Sequence, residues 1–286
     1  MLDIYTIILL FLCGCLGGFF AGLLGIGGGM VFIPVLSYFF IKMGVTDPDL
    51  TKAFIANSFF AIIFSGISAS IKQYKNGQFF PREVLATSFG AIASSLFVSW
   101  LISIGHWYNK LIFSVFFISV LIFLNIRLFI QRNKETILKV NTFTLGKFIV
   151  IGVLTGAFAA LSGLGGGFIM VMLFVQWLEI DIKEATAVST GTIPLISIPL
   201  VLYYMVQQPL NFPPGIFHIG FIMVFALLPL IAGVLLVSPL GVNTANRIKP
   251  QTLKKVFIVF SALIIIKMLI EIKAIHDVMY YFIGYF

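Results

Sequence analysis

An all-α polytopic membrane protein made of two homologous four-segment repeats is the fold class this sequence predicts, on three observations. Apolar runs of about 20 residues, the number that carries a helix across a bilayer, recur along the whole chain with short polar joints between them. Charged residues make up only 10% of the chain, far below the roughly 25% of soluble domains, and mean hydropathy is +1.12. Finally, a glycine pattern in the first half returns in the second at a fixed offset. Gly14, Gly18, Gly25, Gly27, Gly28 and Gly29 recur 138 positions later as Gly152, Gly156, Gly163, Gly165, Gly166 and Gly167. Further on, Lys52, Ala56 and Ser58 recur as Lys183, Ala187 and Ser189 at a spacing of 131. Fixed-offset recurrence of this kind marks an internal duplication.

The expected membrane segments run, in order, over Ile4–Leu24 with a continuation from Gly29 to Ile41, Ala53–Ile71, Val84–Ile104 and Leu111–Ile130. The second half follows with Phe148–Leu161 and its continuation from Gly167 to Leu178, then Ala185–Val206, Ile216–Val237 and Val256–Ile270. Helices are expected rather than barrel strands, because apolar and polar residues do not alternate. The organisation read from this is a first membrane repeat over 1–130, a basic cytoplasmic linker over 131–147, a second repeat over 148–273 and an interfacial aromatic tail over 274–286. The N-terminus lacks a basic n-region, so its apolar run reads as a retained first span.

Basic residues choose between two topologies, since cytoplasmic loops collect Lys and Arg. If all eight units cross, the 18 Lys and Arg split 10 to 8. If each glycine-broken unit enters and returns on one face, the halves become inverted and the split is 13 to 5. The inverted arrangement is therefore expected. Scattering of these cations over loops excludes a nucleic-acid face. Cys13 and Cys15 lie in an apolar run with no further ligands nearby, which excludes a zinc site or structural disulfide. His106, His218 and His276 have neither metal nor triad spacing, so neither an enzyme nor a cofactor is indicated.

The breaks themselves carry the functional expectation. Gly25, Gly27, Gly28 and Gly29, and likewise Gly163, Gly165, Gly166 and Gly167, place four glycines in five residues inside apolar runs. Each costs a helix interior about 1 kcal/mol relative to alanine. A helix broken in a bilayer is tolerated only where its freed backbone groups meet protein, water or ligand. The N-terminus of each resumed helix offers N–H groups and partial positive charge to an anion. Paired breaks at matching places point to a transport site near the midplane. Close helix packing is the competing account, and it suits Gly14, Gly18 and Gly22 well.

Asn57 and Ser58, with Ser189, Thr190 and Thr192 in the matching segment, add uncharged donors beside the breaks, or else serve ordinary helix contacts. Pro194, Pro199 and Pro229 interrupt later segments as candidate hinges. No Asp or Glu lies mid-span, so a carboxylate proton relay is not indicated, and the coupling ion stays open.

The stretch Gly18-Phe-Phe-Ala-Gly-Leu-Leu-Gly-Ile-Gly-Gly-Gly29 with Pro34, its repeat from Gly156 to Gly167, the Ala56–Ser58 and Ala187–Thr190 elements, and Asn246-Arg-Ile-Lys249 together resemble the sulfite exporter TauE/SafE family of permeases. Two positions depart from it: Met172 stands opposite Pro34, and Ala160 opposite Gly22. The resemblance implies transport of a small sulfur-containing anion, sulfite or an organosulfonate, across a bacterial inner membrane. Another small solute, such as a carboxylate or a cation, and a non-transport accessory subunit are the alternatives. Homo-oligomerisation is left open.

Overall fold

The computed structural model describes residues 3–46, 49–104, 145–209 and 217–283, with 118–119, 122–123, 125–126, 130 and 212 between them, and their side chains as far as residue 270 except at 103, 225–226, 264 and 267–268. Its helices are α1 (Ile4–Leu24), α2 (Gly29–Lys42), α3 (Asp49–Lys75), α4 (Pro81–Ile104), α5 (Leu145–Ser162), α6 (Gly167–Trp177), α7 (Ile182–Val206), α8 (Val224–Arg247) and α9 (Pro250–Ile283). The fold is all-helical; among the described residues the only sheet-type pairing is an isolated bridge between Ile219 and Ile222. Among the described residues six helices, α1, α3, α4, α5, α7 and α8, are long and apolar enough to cross a membrane. Most of the expected segment Leu111–Ile130 and most of the linker over 131–147 lie outside the described residues.

Sequence explains where these helices start and stop. Asp49 opens α3 and Lys72 and Lys75 close it, each charge complementing the helix dipole at its own end. Pro81 takes the first position of α4, where its missing N–H costs nothing. The Asp181 carboxylate accepts from the Lys183 N–H at 2.8 Å and caps α7. α8 starts at Val224, later than the segment Ile216–Val237 predicts. The reason is a turn over Ile219–Ile222, with Gly220 at φ +55°, whose backbone is hydrogen-bonded to the side chain of α3 residue Asn57 instead of to a helical turn.

Both glycine clusters break their helices, and by the same means. Gly25 ends α1 in the left-handed region at φ +66°, its N–H donating to the Ala21 carbonyl at 2.9 Å, and Gly27 and Gly28 follow at +80° and +81°. Gly163, Gly165 and Gly166 repeat this at +68°, +83° and +71°, with the Gly163 N–H on the Ala159 carbonyl at 2.9 Å. Side chains other than hydrogen rarely tolerate such backbone angles. After the break the chain doubles back. Cys13 of α1 lies against the Val31 carbonyl of α2, and Lys42 at the end of α2 pairs with Asp3 before α1 at 3.0 Å. In the second half, Phe148 of α5 meets Phe174 of α6 with ring centroids 5.5 Å apart. Each broken unit is thus a helical hairpin that returns to the face it came from.

Helix directions follow from where glycines let backbones touch. Gly14, Gly18 and Gly22 of α1 face Leu230, Val234 and Ser238 of α8, so those helices run parallel. Gly152 and Gly156 of α5 face Thr87 and Ala91 of α4, again in parallel. α3 joins the first set, since Asn57 reaches Met223 and Ser68 reaches Leu235. α7 joins the second, with Gly191 against Val84 and Tyr203 bonded to Ser99. Between the sets α3 and α7 cross antiparallel, because Gly66 meets Pro194 while Ser70 meets Thr190. The two broken helices α1 and α5 consequently run in opposite directions. We call the face with Asp3, Lys42 and the 217–223 turn face A, and the face with residues 76–80 and 178–181 face B.

α9 lies across the bundle, with Phe257 stacked on Phe168 of α6 at 4.6 Å and Phe260 on Phe20 of α1 at 4.5 Å. Exposed side chains such as Phe89, Phe97, Leu236 and Leu263 form an apolar outer surface suited to lipid.

Close backbone contact makes a specific stability prediction. A Cβ at Gly22 would sit 2.1 Å from the Ser238 carbonyl oxygen, whereas nothing lies within 4 Å of one at Gly146. Gly22→Leu is expected to destabilise the protein by about 2 kcal/mol or more through overpacking, and Gly146→Leu to leave it unchanged, as read by thermal unfolding of the purified protein in detergent.

Candidate functional site

The two hairpin tips meet in the middle of the bundle. A Cβ at Gly167 would lie 2.4 Å from the Gly25 carbonyl oxygen, and one at Gly29 would lie 3.1 Å from the Leu164 carbonyl oxygen. Ile62 of α3 and Ile193 of α7, themselves 131 apart, flank the contact, and a Cβ at Gly27 would touch both at 3.2 Å. α2 and α6 begin here and run away in opposite directions. Their first backbone bonds are those of Val31 and Phe32 to the Gly28 carbonyl and of Met170 to the Gly166 carbonyl, so the N–H groups before these precede the helical bonding, and both positive dipole ends are directed at one region.

The backbone freed by the breaks is tied largely by hydroxyls. Ser189 of α7 donates to the Gly25 carbonyl at 2.7 Å and lies 3.3 Å from that of Gly167, so a single side chain spans both tips. Ser65 of α3 donates to the Gly27 carbonyl at 2.8 Å, and Ser238 of α8 donates to the Ser65 carbonyl at 3.1 Å. Ser162 accepts from the Leu164 N–H at 3.2 Å at the second tip. Ser65, Ser238 and Ser162 were not legible as site residues from sequence. Ser65 stands seven residues after Ser58, two helical turns along the same face, and that spacing is the signal that could have found it.

The remaining predicted residues divide by what their polar atoms do. Asn57 is fully engaged: its amide donates to the Ala53 and Phe221 carbonyls, each at 2.7 Å, and its oxygen accepts from the Met223 N–H at 2.9 Å. Thr190 and Thr192 turn their hydroxyls back onto the Thr186 and Val188 carbonyls of their own helix. Ser58 is completely buried and its hydroxyl has no hydrogen-bond partner. The Pro194 ring packs on Gly66, while Pro199 and Pro229 lie inside α7 and α8. The groups named around the tips carry no formal charge. Among the described residues, no three His, Cys, Asp or Glu side chains converge as a metal site.

A small apolar pocket adjoins the tips, between Ile26 and Met30 of the first hairpin and Phe158, Ser162, Gly166 and Phe168 of the second.

Membrane-length helices gathered around two hairpins broken by glycine define a polytopic membrane protein with broken helices of the kind found in transporters. Residues 10–268 match the model of the sulfite exporter TauE/SafE family, and the chain belongs to that family. It is 28% identical over 268 residues to a probable membrane transporter protein of Haemophilus influenzae, covering 93% of this chain and 100% of that one. A probable membrane transporter protein of Methanocaldococcus jannaschii is 26% identical, over 86% of this chain and 89% of its own. The probable membrane transporter protein YunE of Bacillus subtilis is 25% identical, over 72% and 81%. No solved structure matches the chain. The protein is therefore a multi-pass plasma-membrane transporter rather than an enzyme.

Asn57 makes a direct prediction. Replacing it with Leu leaves the Met223 N–H and Phe221 carbonyl buried without partners, at about 1–3 kcal/mol for each orphaned group. Asn57→Leu is expected to lower the thermal midpoint and to speed proteolysis within the 217–223 turn, whereas Thr192→Val should do neither.

Proposed function

We propose that this transporter moves a small sulfur-containing anion, sulfite or an organosulfonate, by alternating access between two inverted halves. The observation that carries the reading is the convergence of two half-helix N-termini, from opposite directions, on a region free of formal charge. Such a region attracts an anion through backbone N–H groups without the cost of burying a cation. Glycine at both tips allows the close approach that this binding needs.

In this reading the backbone at Gly25, Gly27, Gly28, Gly29, Gly163, Gly165, Gly166 and Gly167 forms the site, with hydroxyls of the Ser58 and Ser189 pair beside it. Thr190 and Thr192 join only by leaving their own helix carbonyls, and Asn57 only by releasing the 221–223 backbone. A cation is disfavoured, because the Gly25 and Gly27 carbonyls that would coordinate it already accept from Ser189 and Ser65. Pro194, Pro199 and Pro229 serve as hinges as one half rocks against the other.

The test is flux of labelled sulfite and a small sulfonate panel into proteoliposomes, beside a carboxylate of similar size and empty vesicles. Saturable sulfite or sulfonate flux is expected, falling at least about tenfold in Gly28→Leu and Gly166→Leu variants that remain folded, in line with the loss of a positioned binding geometry. Carboxylate flux without sulfite or sulfonate flux, from folded protein, would overturn the substrate assignment.

A further inference from the structure

The packing of the two halves is nearly interchangeable, and that makes the places where they differ informative. Under exchange of halves, Gly25 corresponds to Gly163 at offset 138, and Thr186 and Ser189 correspond to Ile55 and Ser58 at offset 131. The contacts obey this correspondence. A Cβ at Gly25 meets Thr186, and one at Gly163 meets Ile55. A Cβ at Gly28 meets the Gly17 carbonyl at 2.8 Å, and one at Gly166 meets the Thr155 carbonyl at the same 2.8 Å. Gly29 meets Ile62, and Gly167 meets Ile193.

At the serines the correspondence fails. Ser189, one helical turn beyond Thr186, donates to the Gly25 carbonyl at 2.7 Å. Ser58, one turn beyond Ile55, is equally buried and donates to nothing. A buried hydroxyl without a partner is destabilising. Its counterpart shows which partner fits: the carbonyl of the opposite hairpin's first tip glycine.

One further difference falls on the same side. Ser189 lies about two turns into α7 from face B, and Ser58 about two and a half turns into α3 from face A. Thr186 beside the engaged serine is 1% exposed, whereas Ile55 beside the free one is only half-buried. The present conformation is thus fastened toward face B and looser toward face A.

We propose that Ser58 and Ser189 are alternating latches: Ser189 holds the Gly25 carbonyl in the conformation seen here, and Ser58 takes the Gly163 carbonyl when the transporter faces the other way. The proposal rests on the alternating-access reading above, and on no particular substrate. Each latch is a positioning residue that sets which face is closed. Exchange of one hydrogen bond for its symmetric counterpart lets both end states satisfy the same number of buried groups. The two conformations then stay close in energy, as a carrier requires.

The test uses single reporter cysteines, Ile55→Cys and Thr186→Cys, in a Cys13→Ala, Cys15→Ala background of the full chain. Their rates of reaction with a water-soluble thiol reagent are measured in detergent without substrate. With both serines present, the reporter at 55 is expected to react faster than the one at 186. Ser189→Ala should raise the 186-to-55 rate ratio about fivefold, the shift produced by losing one hydrogen bond of ordinary strength. Ser58→Ala should lower it, and the double variant should return it toward the starting value.

The cross-effects are decisive, because Ser189→Ala must slow reaction at 55 and Ser58→Ala must slow it at 186. Local loosening by a structural serine speeds its own neighbour and slows neither distant site. Equal ratios in all variants, or acceleration at both reporters in either single variant, would overturn the latches. Reciprocal shifts in a protein that carries no sulfite or sulfonate would keep the latches and discard the substrate assignment; sulfite flux with unmoved ratios would do the reverse.

Discussion

A peptide group left unpaired in hydrocarbon costs several kcal/mol, and the whole arrangement answers to that constraint. Two helices are broken where lipid cannot satisfy their backbones, so both breaks have to lie against protein. They lie against each other. The Gly25 and Gly167 segments touch, and hydroxyls from α3 and α7 close the carbonyls that remain. Those hydroxyls must come from helices that pass the breaks, which explains why α3 and α7 occupy the centre of the bundle. The other long helices then pack outside them.

The same constraint accounts for the small residues. For α3 and α7 to reach the tips, α1 must press against α8 and α5 against α4 without side chains between them. Gly14, Gly18 and Gly22 meet that need on one side, and Gly152 and Gly156 on the other. Ala160, opposite Gly22 in the repeat, and Met172, opposite Pro34, are both buried. The second hairpin differs from the first in length as well, α6 having 11 residues to the 14 of α2.

If the proposed anion is the substrate, a centre held by neutral groups suits a carrier that must bind it and release it. A buried Lys or Arg would hold the anion strongly and would itself need a partner once the site emptied. Backbone N–H groups at helix N-termini attract charge more weakly and lose less when it leaves. Serine fits the same economy, since its hydroxyl can donate to a carbonyl in one conformation and elsewhere in another.

Much of this was legible in the sequence. Membrane helices follow from apolar run length, and the breaks from four glycines in five residues, because backbone preference is set by a few consecutive side chains. The offsets of 138 and 131 likewise pair Gly25 with Gly163 and Ser58 with Ser189 without any coordinates. What a polar side chain binds is not local in this way. Asn57 and Ser58 are adjacent uncharged donors in the sequence, yet one pins a turn 164 residues away and the other has no partner. Lys42 closes the first hairpin on Asp3, and Ser65 reaches Gly27, for the same reason. Sequence by itself determined the helices, their interruptions and the pairing of the halves. Only the tertiary structure decided which hydroxyls hold the hairpin tips and which buried hydroxyl has no partner, because those depend on helix packing between residues far apart in the chain.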